Sequence, residues 1–364
     1  MPDTLYSGVF EAAGFQFLET PILQPADVFL DRSGDAIRRR LFMLTDPGGA
    51  EHCLRPELTI PVAREVIARG GDNDARVWSS GTVFRYASDR GVEFTQCGVE
   101  HIGGNAPAKD DAEVLSLTLK ASAELGTTAP TITLGDLGIF QGVLDAVDLP
   151  AAWRERLRRH FWHADVFKEL LARLKGDAKP GTDENAGLLA SIGGLSPGEA
   201  TRAVHDILKL ANIRPVGGRS VEEITARFLE KAQDASSETV APDVVKALET
   251  FLGLNTTADI AVDELTRLAK AYGLKLDAPL RRLADRHEAL GSLGIDLGHV
   301  RFSTSFGREL EYYTGFVFEL HANNAKIAGG GRYDGLMEQL GAAKAMTAVG
   351  AAIWIERTME GALS

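Results

Sequence analysis

Strand-forming runs lie towards both ends of this chain, separated by a long stretch of helical pattern, and that separation limits the folds open to it. Residues 76–86 and 93–102 are rich in β-branched and aromatic side chains. Ser88-Asp89-Arg90-Gly91 between them is turn chemistry, so an antiparallel hairpin is expected. Strand signals return over residues 300–320 and in the apolar run 348–355. A sheet completed by two distant parts of a chain obliges everything between them to leave it and come back. The expected fold class is therefore α+β: an antiparallel sheet flanked by helices, from residues 1–145 and 296–364, with a mainly helical insertion over 146–295.

Local signals fill in this outline. Leu5, Tyr6, Val9, Phe10 and Ala13 recur at helical spacing, and Gly14 supplies a stop. Residues 15–20 read as a strand closed by Pro21, 111–125 as a helix and 130–134 as a short strand. In the middle region, Ser196-Pro197-Gly198-Glu199 places a hydroxyl at an N-cap, proline in the first turn and a carboxylate three residues on. Ser220 and Glu223 repeat that box ahead of Ile224 and Phe228. Two further helices carry Leu265, Leu268 and Tyr272 before Gly273, and Leu280, Leu283 and Leu290 before Gly291. Residues 176–185 are rich in Gly, Pro, Asp and Glu and read as a solvated loop.

Composition narrows the function classes. A chain of 364 residues, 45% hydrophobic, buries a substantial core, and its net charge of −12 disfavours a broad nucleic-acid surface, which relies on clustered Lys and Arg. Cys53 and Cys97 are the only cysteines and form no CxxC, so neither a disulfide framework nor a structural zinc site is expected. His160 and His163 make an HxxH without a third ligand nearby. No metal or other cofactor is expected. No apolar run reaches the roughly 20 residues of a membrane span or the form of a signal peptide, so the expected location is cytoplasmic.

The run Gly329-Gly330-Gly331 lacks both phosphate-cradling patterns, GxGxxG and GxxxxGK[ST]. Glycines in a strand instead mark close backbone approach. In the second hairpin strand, Gln96, Gly98 and Glu100 share one face, and Thr95, Cys97 and Val99 the other. Four residues of strand rise roughly 13 Å, so Gln96 and Glu100 reach opposite ends of one small ligand only if both lean inward.

Five segments then appear in order: Leu54-Arg55-Pro56-Glu57-Leu58-Thr59; Phe84-Arg85-Tyr86; Gln96-Cys97-Gly98-Val99-Glu100; Arg308-Glu309-Leu310-Glu311-Tyr312-Tyr313-Thr314-Gly315; and Gly330-Gly331-Arg332-Tyr333-Asp334-Gly335-Leu336. The set resembles the catalytic core of histidyl-tRNA synthetase, a class II synthetase, over roughly residues 5–140 and 300–360. The resemblance implies a histidine pocket made of Glu57, Thr59, Arg85, Gln96, Glu100, Arg308, Tyr312, Tyr313 and Tyr333. Within it Glu57, Thr59 and Gln96 match positions around the α-amino group. Glu100, Tyr313 and Tyr333 match the imidazole side, and Arg85 and Arg308 the carboxylate.

The chain also departs from that family. Ala87 stands where the family carries a glutamate that positions adenine, and the loop through Ser88, Asp89 and Arg90 is short and lacks the residues of the ATP clamp. Trp354 replaces a glycine, so an indole is expected in the space a nucleotide needs. Arg357 is kept, and the anticodon-binding domain of the family is not expected. A retained amino-acid pocket beside a lost nucleotide site resembles the synthetase paralogues that serve as regulatory subunits of ATP phosphoribosyltransferase, the first enzyme of histidine biosynthesis. The resemblance implies no catalysis by this chain, histidine as effector, feedback inhibition, a short-form catalytic subunit as partner, and a homodimer through the first helix and strand within a hetero-oligomer. It implies neither nucleic-acid nor membrane binding. The alternative is a truncated synthetase-like enzyme that activates histidine with ATP, for which Arg308 is the best argument.

Overall fold

The computed structural model describes residues 3–30, 38–70, 74–86, 91–161, 164–175, 191, 195–210, 221, 225, 229, 240–307 and 312–362. The chain divides into two compact units, Leu149–Val245 and the remainder, Met1–Asp148 with Lys246–Ser364. In the larger unit the elements before the division are α1 (Asp3–Ala12), β1 (Gln16–Phe17), β2 (Leu23–Pro25), α2 (Asp27–Leu30), β3 (Met43–Thr45), β4 (Glu51–Leu54), α3 (Thr59–Ala68), β5 (Ala75–Phe84), β6 (Glu93–Ile102), α4 (Pro107–Glu124), β7 (Thr131–Asp136) and α5 (Leu137–Ala146). The smaller unit carries α6 (Ala151–His160), α7 (Ala164–Leu174) and α8 (Pro197–Leu210). Then follow α9 (Pro242–Leu252), β8 (Asn255–Thr257), α10 (Ala258–Tyr272), α11 (Asp277–Ser292), β9 (Arg301–Ser303), β10 (Phe316–Ala322), β11 (Ala325–Arg332), α12 (Asp334–Gln339), β12 (Ala348–Trp354) and α13 (Ile355–Ala362).

Nine strands form one sheet in the order β1-β5-β6-β12-β11-β10-β7-β9-β8. The two ends of the chain meet at its centre, where β12 pairs antiparallel with β6 from Ala348↔Ile102 to Trp354↔Gln96. The β5–β6 ladder runs without a break from Ala75↔Ile102 to Phe84↔Glu93, as the hairpin reading expects, while residues 87–90 lie outside the described ones. Helix α4 packs on one face of β6, β11 and β12, and α3 contacts β6 and β12. Both faces of the centre are thus covered, and Phe316 to Leu320 of β10 are all buried instead of alternating.

Several expectations are corrected. The sheet is mixed, because β1 pairs parallel with β5 and β7 with β9. The strand signals over 300–320 resolve into two strands, β9 and β10. The strand expected over 15–20 has two residues in ladder pairing before Leu18 N–H bonds Trp78 O. A second, three-stranded sheet, β2-β4-β3, carried no period-two signal in so few residues. The helix ending was expected at Gly291 but runs through it to Ser292, and Gly294 takes the left-handed turn at φ 81°. Residues 246–295, expected within the insertion, lie in the larger unit. There β8 completes the sheet edge through β9, and α11 packs on α4.

In the smaller unit, Trp153, Leu157, Phe161, Phe167, Leu170 and Leu174 are buried, with the Phe161 and Phe167 rings edge-to-face at 5.8 Å. One half of the Ser196 capping box forms, the Glu199 carboxylate accepting from Ser196 N at 3.0 Å and also from Ser196 Oγ at 2.5 Å. The box at Ser220 and Glu223, the loop at 176–185 and His163 lie outside the described residues. Cys53 and Cys97 are buried free thiols. Among the described residues no helix is long and apolar enough to cross a membrane, and no group of three or more metal-ligating side chains occurs.

Candidate functional site

Glycines make the floor of the site. The register Glu100↔Gly350↔Gly331 runs across β6, β12 and β11, so the side chain of Glu100 faces two residues that have none. A Cβ on Gly350 would lie 1.5 Å from Glu100 Oε2, and one on Gly331 would lie 2.9 Å from the Tyr313 ring. The carboxylate therefore folds over Gly350 and the tyrosine over Gly331. Gly98, on the same face, approaches Ala351 O so closely that a Cβ there would stand 2.7 Å from it.

Helix α3 and the segment after β11 supply the walls. Glu57 precedes α3, and its two carboxylate oxygens accept from Thr59 N at 2.7 Å and Ile60 N at 2.8 Å, a cap on the positive end of the helix. Thr59 Oγ1 donates to Glu100 Oε1 at 2.7 Å, and the Tyr333 hydroxyl donates to Glu100 Oε2 at 2.5 Å. Tyr312 packs against Tyr313 with ring centroids 4.9 Å apart and against Tyr333 at 5.9 Å, edge-on. All three tyrosines are buried.

The electrostatics of this cluster are unbalanced. Glu57 and Glu100 are both buried, and neither has an ion-pair partner among the described residues. Burial pushes the Glu100 carboxyl up to about 8, against the hydrogen bonds from Tyr333 and Thr59, which favour its ionised form; the charge of Glu57 pushes it further up. Burial also raises Glu57, opposed by the Ile60 and Thr59 amides and, at longer range, by Arg85. Such a pair favours a ligand that brings positive charge or can accept a proton, with a flat ring to lie among tyrosines.

Gln96 extends the same face beyond Gly98. Both its Nε2 and Oε1 are buried without a hydrogen-bond partner among the described residues, which leaves donor and acceptor capacity unused. Trp354 is its ladder partner on β12, so the indole stands on this face directly beside Gln96; it is buried, and the Arg357 guanidinium lies 5.4 Å from its ring centroid.

Among the residues expected from the sequence, the structure brings Glu57, Thr59, Glu100 and Tyr333 into one bonded chain, with Tyr312 and Tyr313 packed against it and Gln96 on the same sheet face. Arg85 is held at the margin: its Nε donates to Pro56 O at 2.7 Å, and its guanidinium lies 5.6 Å from the Phe94 ring centroid. Arg308 and Ala87 lie outside the described residues. The floor glycine Gly350 was not among the expected residues, since a glycine inside the apolar run 348–355 carries no signal by itself. Arg55 belongs to the first of the five segments but not to the expected pocket. It is buried, donates to Thr82 O and to Thr20 O, and overlies Gly81, where a Cβ would stand 2.2 Å from its NH2.

A nine-stranded sheet carrying this pocket defines a protein of the class II synthetase type, and the histidyl-tRNA synthetase family model matches residues 4–214 and 201–358. The structure of a histidine–tRNA ligase subunit from Alicyclobacillus acidocaldarius is 29% identical, with a TM-score of 0.60 over 100% of this chain and 91% of that one. An ATP phosphoribosyltransferase regulatory subunit/histidyl-tRNA synthetase from Bacillus halodurans has the same fold at 21% identity, with a TM-score of 0.71 over 100% of this chain and 78% of that one. Curated ATP phosphoribosyltransferase regulatory subunits of Brucella anthropi and Brucella ovis are each 37% identical over 94% of this chain and 92% of theirs. The chain belongs to the ATP phosphoribosyltransferase regulatory subunit family. Its part in histidine biosynthesis is regulatory and not catalytic.

Proposed function

We propose that the pocket binds free histidine and that its occupancy lowers the activity of a short-form ATP phosphoribosyltransferase catalytic subunit bound to this chain. The observation that carries this reading is the pair of buried carboxylates, Glu57 and Glu100, set among three tyrosines without an ion-pair partner among the described residues. Histidine suits it at both ends. Its ammonium lies towards Glu57, Thr59 and Gln96, and its ring lies between the tyrosines with a nitrogen on Glu100. Arg85 and Arg308 are assigned to its carboxylate. The indole of Trp354 takes the neighbouring compartment, so the site holds the amino acid without a nucleotide.

The chain acts in the cytoplasm as a homodimer inside the hetero-oligomer and contacts neither nucleic acid nor membrane. Exposed Leu5 on α1 and Phe17 on the edge strand β1 support pairing through the first helix and strand, with exposed Leu23, Met43 and Leu44 on the small sheet.

Calorimetry tests the reading. Histidine binds the parent chain, and Glu100→Ala weakens it by at least 100-fold, the scale expected when a charged hydrogen-bond partner is removed. In the complex, linkage requires that if histidine weakens substrate binding, substrate weakens histidine by the same factor. A complex in which neither ligand affects the other, or ATP–pyrophosphate exchange by the purified chain, removes the regulatory reading.

A further inference from the structure

Ser79 lies on β5 opposite Gly98 of β6, and Ala352 of β12 lies on the other side of that glycine. Alternation along β5 puts it on the face that Val77 shares with Glu100, which is the floor side of the pocket. Its neighbours across the ladder are small: Gly98 has no side chain and Ala352 has a methyl. Over Gly81, two residues along β5, lies the Arg55 guanidinium.

Its hydroxyl is in an unusual condition. Ser79 is 2% exposed and Gln96, its diagonal neighbour across the ladder, is 1% exposed. Neither Ser79 Oγ nor the two polar atoms of the Gln96 carboxamide has a hydrogen-bond partner among the described residues. The next residue shows the contrast. Ser80 points to the opposite face and shares a 2.6 Å hydrogen bond with the Tyr6 hydroxyl. Leaving a buried hydroxyl and carboxamide unpaired costs the fold stability, which selection tolerates where a ligand completes them.

We infer that Ser79 is a ligand-binding residue, which together with Gln96 receives the amino-acid end of the molecule whose ring is held by Glu100 and the tyrosines. Gly98 lies midway along β6 between Gln96 and Glu100, so its partner Ser79 stands within reach of an ammonium carried on the α-carbon of a ligand stretched between them. A ligand ammonium donates to the hydroxyl and to Gln96 Oε1, which no neutral ring alone reaches. The inference rests on the reading of the pocket as a histidine site, and it adds Ser79 of β5 to the groups that receive the α-amino group.

The test is Ser79→Ala in the full chain, titrated by nuclear magnetic resonance with histidine, with histidinol, which keeps the ammonium but lacks the carboxylate, and with 4-methylimidazole, which is the ring alone. Histidine and histidinol are expected to bind about 10-fold more weakly to the variant, with 4-methylimidazole unchanged. The melting temperature of the ligand-free variant is expected to hold or rise, because the alanine removes an unpaired buried hydroxyl. Unchanged histidine affinity, an equal loss for all three ligands, or a lowered melting temperature overturns the inference. The last two mark a structural serine. Failure of the parent chain to bind histidine is a separate outcome and removes the reading of the pocket itself.

Discussion

Two clusters of buried charge lie on opposite faces of the same sheet, and among the described residues only one of them is balanced. On the face under α4, Asp111 accepts Arg332 Nε and NH2 on Oδ1 at 2.9 and 2.7 Å and Arg286 Nε on Oδ2 at 2.8 Å. Arg286 NH1 continues to Asp136 Oδ2 at 2.7 Å, and Asp136 Oδ1 caps α5 through Gly138 N at 2.8 Å. Two acids meet two guanidiniums, and the four side chains bolt α4, α11, α5 and β11 together. Just past the end of β11, on the other face, Tyr333 reaches Glu100, where two acids share hydroxyls and amides but, among the described residues, no ion-paired cation. A balanced cluster is complete without a ligand. An unbalanced one is built to receive something.

The largest effect separates the clusters by stability. Asp111→Ala leaves Arg286 with Asp136 alone and Arg332 with Asp334, at 3.0 Å and partly exposed, and is expected to cost about 3–5 kcal/mol in urea unfolding followed by circular dichroism. Glu100→Gln is expected to be neutral or stabilising by about 1–3 kcal/mol at pH 8, since it removes a buried charge that lacks a counterion. A cost below about 1 kcal/mol for Asp111→Ala, or a loss with Glu100→Gln matching it, would dissolve the distinction.

The next effect is in the pH dependence. With Glu100 near 8 in the folded chain and at 4.5 when unfolded, the native state keeps a proton that the unfolded chain releases. Stability therefore falls as pH rises from about 4.5 through about 8, the sign set by the greater number of protons bound in the native state. Glu100→Gln flattens that slope. A parent and variant with parallel pH profiles between 5 and 8 would place the proton elsewhere.

How far the sequence discloses these two faces differs by residue. The β5–β6 hairpin and the shared side of Gln96 and Glu100 were legible because a ten-residue ladder gives alternation room to repeat. Glu57, Thr59, Glu100 and Tyr333 were grouped through five ordered segments, whose resemblance to the histidyl-tRNA synthetase core put α3, β6 and the turn after β11 into one set. The three-residue strands β2, β3 and β8 were not legible, since three positions carry no period, and the boundary at 245 was lost with β8. Ser79 and Ser80 stand side by side in Trp78-Ser79-Ser80-Gly81, and nothing distinguishes the paired hydroxyl from the unpaired one until Tyr6 is placed. Asp111, Arg286 and Asp136 come from three separate stretches, and no local pattern announces that charges 150 and 175 residues apart will meet.

The smallest effect tests the bond that joins the tyrosines to the unbalanced acids. Tyr333→Phe keeps the ring and its edge-on packing with Tyr312, but removes the donor to Glu100 Oε2. Because that hydrogen bond favours the carboxylate, its loss moves Glu100 further upward, and the upper end of the pH window shifts to higher pH. Stability at pH 7 changes by only about 0.5–1.5 kcal/mol, since at that pH the empty site already holds most of Glu100 protonated. Histidine affinity falls about 10-fold, because the ligand must then hold Glu100 with one hydroxyl, Thr59, where there were two. Unfolding curves collected from pH 6 to 9, with histidine titrations alongside, give both readings. An upper limb that stays in place would mean that Tyr333 does not govern Glu100. The walls of the pocket would then be packing alone, and the contrast between the two faces would rest on Glu57 and Thr59.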